Sequence, residues 1–288
     1  MSSQFKMAII QNGLRGTLCF LKPLRFRQVQ SSLKSHQYST MPVPKTHYEI
    51  ERKFTFSQSN VSILETNTGP TKFMSMKHLL DQKFTDVYYD DKERNYPLTT
   101  NDIWLRQRDE IWECKCPMNP AASMDIYLEL VKLPDIAEFI RQKLGRGESI
   151  PVLPDEAIQF KNHLLQQHNL SAFCTITTTR RKYLVDDQFT LVLDHADFGH
   201  SVGELEITVS KESEIPQAEL KVAQFMNKHK WFFETKGVVF GKLSAYISKF
   251  NRHQWECMER SGILKQKLFP ESLEDVVRRN EMGKAKTL

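Results

Sequence analysis

Polar and apolar positions alternate with period two along much of the chain, the mark of β-strands. In several of these stretches the charges fill one whole face. Glu49-Ile50-Glu51-Arg52-Lys53-Phe54 sets Glu49, Glu51 and Lys53 on one side and Ile50, Arg52 and Phe54 on the other. Taken alone, such a face reads as the solvent side of a half-buried strand. Later strands repeat it. Residues 103–108 put Trp104, Arg106 and Arg108 together, and 111–116, a hairpin partner through Asp109-Glu110, put Glu113 and Lys115 opposite Cys114 and Cys116. Residues 175–185 carry Arg180 and Lys182 on one face and Arg181 and Tyr183 on the other. In 204–209 Glu204 and Glu206 oppose Leu205, Ile207 and Val209.

The same pattern predicts strands at 47–56, 84–89, 125–131 and 189–194. Helices are expected at 72–82, 134–144, 155–168, 217–230 and 238–250, with a Ser/Asn/Thr/Gly-rich loop at 57–70 and a charged, frayed tail beyond Pro270. No repeat of fixed period is present. Helices with apolar stripes can cover apolar strand faces, and a sheet that turns its charges towards itself is best satisfied by closing into a barrel with a polar interior. The expected fold is therefore α+β: a closed antiparallel barrel with helices packed outside, over residues 42–260.

Charges confined to such an interior need partners, because burying an isolated ion is costly. Four or five carboxylates among Glu49, Glu51, Glu113, Asp194, Glu204 and Glu206 suit Mg²⁺, with Mn²⁺ as the alternative, since both take hard oxygen ligands and share them with phosphates. Arginine pairs on one strand face suit bidentate grip of phosphate oxygens. The chemistry implied is cleavage at a polyphosphate.

Composition changes this picture mainly at the N-terminus. The net charge of +5 is misleading until located: residues 1–48 hold seven Lys/Arg and no acid, leaving 33 basic against 35 acidic residues in the rest. Nucleic acid is therefore not an expected partner. Residues 1–41, basic, acid-free and Ser-containing, read as a mitochondrial presequence, with Met41 as an alternative start for a cytoplasmic form. No apolar run reaches the roughly 20 residues of a membrane span, so no membrane partner is expected. Five scattered cysteines point to reduced thiols rather than a disulfide framework, and the lone Cys-Lys-Cys at 114–116 to a structural thiol pair. The stretch 261–288 is read as a tail.

The motifs that carry the charges resemble a known family. Tyr48-Glu49-Ile50-Glu51-Arg52-Lys53-Phe54, Asp86-Val87-Tyr88-Tyr89-Asp90, Trp104-Leu105-Arg106-Gln107-Arg108 and Glu113-Cys114-Lys115-Cys116-Pro117 are similar to the CYTH, or triphosphate tunnel metalloenzyme, superfamily. Ala196-Asp197-Phe198-Gly199, Val202-Gly203-Glu204-Leu205-Glu206 and Gly241-Lys242-Leu243 follow in the same order, and the set resembles the thiamine triphosphatase branch over about residues 47–255. The resemblance implies an eight-stranded tunnel holding a small-molecule triphosphate between metal-binding carboxylates and a basic wall. It implies metal on Glu49, Glu51, Glu204 and Glu206, and phosphates held by Lys53, Arg106, Arg108, Lys115, Arg180 and Lys242, with Lys182 on the same face as Arg180. Trp104 falls where an aromatic ring would stack on thiamine. The family carboxylate before Ala196 aligns with Val192; Asp194, on the same face, is the expected substitute, ahead of Asp197. A basic residue of related triphosphatases is replaced here by Thr85. The implied activity is metal-dependent hydrolysis of thiamine triphosphate by a monomer, with Lys53, Arg106, Arg108 and Lys242 acting on the reacting phosphates. A general tripolyphosphatase of the same fold, or a non-catalytic polyphosphate-binding module, are the alternatives.

Overall fold

A computed structural model describes residues 47–118, 124–145, 164–235, 237–264, 272, 274–276 and 278. The expected leader, most of the helix expected at 155–168 and much of the tail lie outside these residues. The strands are β1 (His47–Phe54), β2 (Met76–Asp90), β3 (Trp104–Arg108), β4 (Ile111–Pro117), β5 (Asp125–Leu130), β6 (Ser171–Val185), β7 (Phe189–Ala196) and β8 (Ser201–Val209). They close into an antiparallel barrel, as expected, and the strand order is β1-β5-β4-β3-β2-β6-β7-β8. Closure removes free sheet edges, and the alternation then gives every strand an inward and an outward row.

The outward rows are covered by helices α1 (Gln58–Thr66), α2 (Leu133–Leu144), α3 (Ile215–Lys228), α4 (Lys230–Phe233), α5 (Lys242–Phe250) and α6 (Arg252–Ser261). Ile50 and Phe54 of β1, with Leu191, Leu193 and Leu205, pack under Val222, Ala223 and Phe225 of α3. Leu105, Cys114, Cys116 and Leu130 pack under Ile136 and Ile140 of α2, so the two cysteines are buried structural thiols. Cys174 and Ile176 of β6 meet Leu243 and Ile247 of α5 and Met258 of α6. Each fully buried Leu, Ile or Phe contributes about 1.5–3 kcal/mol, so stability resides in this outer layer rather than inside the barrel. No helix among the described residues is long and apolar enough to cross a membrane.

Two expectations are overturned, and they trade places. The stretch 57–70, expected as loop, contains α1. The Ser57 side chain accepts from the N–H of Asn60 at its start, Asn67 ends it in the left-handed region at φ 50°, and Val61 and Leu64 are buried three residues apart. The helix expected at 72–82 is instead the first half of β2, paired against Thr178–Val185 of β6. The long β6 needs a neighbour along its whole length, and tertiary pairing overrides the weak local preference. At the other end Val276 is completely buried in the core beside α3, so residues 274–276 do not belong to a frayed tail.

Gly203 shows how closely the outer layer is fitted. A Cβ there would lie 2.3 Å from Cζ of Phe54, whose ring is held by Phe232 and Phe233 at centroid separations of 5.4 and 4.9 Å. Gly203→Ala should destabilise the protein by about 1–3 kcal/mol through overpacking. Denaturant unfolding checks this; an unchanged midpoint would mean that the phenyl ring moves aside freely.

Candidate active site

Inside the barrel the inward rows surround a cavity of about 590 Å³. Of the residues expected to bind metal or substrate, all line it except Asp194, which faces inward but is completely buried beside Arg180 and Lys242. The cross-strand register explains the convergence: Glu49 faces Thr208, Glu51 faces Glu206 and Lys53 faces Glu204 across β1 and β8, while Trp104 faces Lys115 across β3 and β4.

The basic wall is built on two buried aspartates. Asp86 of β2 accepts from Nε and Nη2 of Arg108 at 2.8 and 3.0 Å, and Arg106 lies 3.8 Å away while also binding Glu113 at 2.6 Å. Asp194 of β7 accepts from Nε and Nη2 of Arg180 at 2.6 and 2.7 Å and also from the ammonium of Lys242. Burial alone would raise the Asp194 carboxyl, but Lys242 and Arg180 overcome this and hold it well below the usual carboxylate range. Asp194, expected among the metal-binding carboxylates, does not join the group of acids that converges on the other side of the cavity; both its oxygens accept from Arg180 or Lys242. Lys182 lines the same cavity without an ion-pair partner among the described residues.

The acidic side is centred on Glu49, Glu51 and Glu206, each offering one oxygen, all within 4.8 Å of one another. Glu204 lies off this trio, 3.6 Å from Nη2 of Arg180. Burial, reinforced by Glu129, Glu206 and Glu51 against the pull of Lys115, raises Glu49 well above the usual range. Burial, with Glu204 and Glu51, pushes Glu206 up to about 7 against Arg180 and Lys115. Glu51 opposes its burial through Lys115 and Lys53 and is lowered. Two crowded carboxylates held towards their protonated forms next to an ionised third are a set of hard oxygens short of positive charge. That donor set fits a divalent cation.

Lys53 and Lys115 tie the two sides together. Lys53 donates to Glu51 and Asp125, and Lys115 donates to Glu49 and lies 3.2 Å from Glu51 and 3.4 Å from Glu129. Burial would lower both ammonium groups, but these carboxylates outweigh it and keep them protonated. Asp86, Asp125 and Glu129 were not singled out from the sequence as site residues. The signal available was the inward parity of Asp86 with Tyr88, and of Asp125 with Tyr127 and Glu129.

Trp104 lies at the start of β3, half-buried in the cavity wall. Its Nε1 donates to the hydroxyl of Tyr127 at 3.2 Å, and Tyr127 donates to the buried carboxylate of Asp102 at 3.1 Å. This relay fixes the indole plane before any ligand arrives.

The CYTH domain family is matched over residues 47–231. The thiamine-triphosphatase of Macaca fascicularis is 26% identical over 235 residues, covering 79% of this chain and 95% of that protein. The thiamine-triphosphatase of Homo sapiens is 27% identical over 224 residues, 72% of this chain and 87% of that protein. Among solved structures, the PH1819 protein from Pyrococcus horikoshii OT3 covers 62% of this chain and 89% of its own, at 18% identity and a TM-score of 0.41.

Proposed function

Since this chain belongs to the CYTH domain family, we propose that it hydrolyses the terminal phosphoanhydride of thiamine triphosphate, giving thiamine diphosphate and phosphate, with Mg²⁺ or Mn²⁺ as cofactor. The observation that carries the reading is that the Glu49–Glu51–Glu206 trio and a wall of aspartate-anchored cations line one cavity inside the barrel. The names of the two thiamine-triphosphatases support the choice of substrate.

A metal ion on Glu49, Glu51 and Glu206 would supply Lewis-acid stabilisation of phosphate oxygens. The chain itself contributes placement. Arg106, Arg108 and Arg180 are locked by Asp86, Glu113 and Asp194 before substrate enters, so their charge needs no reorganisation when negative charge builds on the phosphoryl oxygens. Lys53 and Lys115 line the cavity beside the acids they pair with and would hold the polyphosphate towards the acidic trio. Trp104, oriented by Tyr127, offers its face to the organic ring.

The test is phosphate release by the purified full chain with Mg²⁺, using thiamine triphosphate, tripolyphosphate and ATP side by side at low concentration. Thiamine triphosphate should be preferred, and Trp104→Ala should raise its KM on the order of tenfold while leaving tripolyphosphate unchanged. Better use of tripolyphosphate by the parent protein would move the assignment to a general tripolyphosphatase. Tight binding with no release would leave a polyphosphate-binding module.

A further inference from the structure

The cations Lys53, Arg106, Arg108, Lys115, Arg180 and Lys242 all carry ion pairs. Besides Lys182, which has no ion-pair partner among the described residues, uncommitted donors in the cavity are found at the first turn of α5. Gly241, Lys242, Leu243 and Ser244 line the cavity there. Gly241 caps the helix without a side chain, and among the described residues the N–H groups of Lys242, Leu243 and Ser244 have no acceptor. Ser244 is only 5% exposed and lines the cavity, and its hydroxyl makes no hydrogen bond among these residues. At Gly241 the helix end passes close to the side chain of Lys53. A Cβ there would fall 2.8 Å from Cε of Lys53, the residue that bridges Glu51 and Asp125.

We infer that the first turn of α5 is an oxyanion subsite, in which the Ser244 hydroxyl and the open N–H groups of Leu243 and Ser244 take oxygens of one phosphate of a bound polyphosphate. The inference rests on the reading of the cavity as a polyphosphate site. Backbone N–H groups at a helix start, the positive end of the helix dipole and a hydroxyl with no partner among the described residues are a suitable donor set for a phosphate oxygen. Their neighbour Lys242 has its ammonium turned to Asp194, which leaves the helix end to make the direct contact.

The experiment compares Ser244→Ala and Ser244→Cys with the parent full chain, using calorimetric binding of tripolyphosphate in Mg²⁺ and the KM and kcat of phosphate release. Both variants should keep the parent melting temperature. A hydrogen bond to a charged group is worth about 1.5–3 kcal/mol, so Ser244→Ala should weaken tripolyphosphate binding about tenfold or more. Cysteine keeps the volume but donates weakly, so Ser244→Cys should also lose affinity. Parent-like affinity in Ser244→Ala would overturn the inference, and so would a loss in Ser244→Ala with parent affinity in Ser244→Cys, which would make the serine a packing residue. If the parent chain binds tripolyphosphate without turnover and Ser244→Ala still weakens it, the subsite stands and the hydrolase reading falls. If the parent chain does not bind tripolyphosphate at all, both fall.

Discussion

Asp194→Asn should lower the melting temperature by on the order of 10 °C. The substitution leaves the guanidinium of Arg180 and the ammonium of Lys242, both on buried residues, facing a neutral amide. Breaking a buried ion pair by removing one partner costs about 3–5 kcal/mol, and each kcal/mol shifts melting by about 2–4 °C in a domain of this size. Turnover should fall as well, because Arg180 loses the bidentate clamp that aims it. Because the Asp194 carboxyl is lowered on folding, its contribution is fully present above the usual aspartate range and is lost only as pH falls through its depressed folded value. Thermal unfolding followed by circular dichroism at neutral pH decides the matter. A drop of less than about 2 °C would show that water or a neighbouring acid replaces Asp194, a shift below one kcal/mol.

Glu206→Gln should have opposite effects on stability and activity. The carboxyl is pushed up to about 7 by burial and by Glu204 and Glu51, so its ionised form costs stability above that pH. This cost fades as pH falls from 7 towards the ordinary glutamate value of 4.5. In chelator at about pH 8 the glutamine variant should therefore melt a few degrees higher than the parent, and the difference should shrink on acidification. Phosphate release should fall on the order of 100-fold, since the trio loses one oxygen ligand. Mg²⁺ should raise the melting temperature of the parent more than that of the variant. Equal metal-induced shifts, with near-parent turnover, would remove Glu206 from the cation site.

The barrel was readable because charge parity runs through whole strands: Glu49, Glu51 and Lys53 share a face whatever the length of the strand, and the apolar rows beside them require covering helices. Local stretches with weak patterning were not readable. In β2 the half from Met76 to Lys83 is largely exposed, so neither of its faces shows a clean apolar row, and only its ladder with β6 makes it a strand. For the site, inward-facing residues could be named but their pairing could not. Asp194 is an inward carboxylate by parity, like Glu206. Whether such a group meets a cation or another acid depends on which strand closes beside it, here β6 with Arg180 rather than β1 with Glu51. Asp102 and Ser244 lie on a turn and a helix end, outside any strand parity.

The strand order also bears on how the chain is made. β1 emerges from the ribosome first among the strands, yet its two neighbours, β5 and β8, begin at Asp125 and Ser201. At about 5–20 residues per second, β8 follows on the order of ten seconds or more later. During that interval β1 has an unpaired edge, the condition under which strands associate with other chains. The charged row Glu49, Glu51 and Lys53 discourages such pairing until β8 arrives. The row of charges that lines the cavity should thus also protect the nascent chain, and replacing it with apolar residues should lower the yield of folded protein.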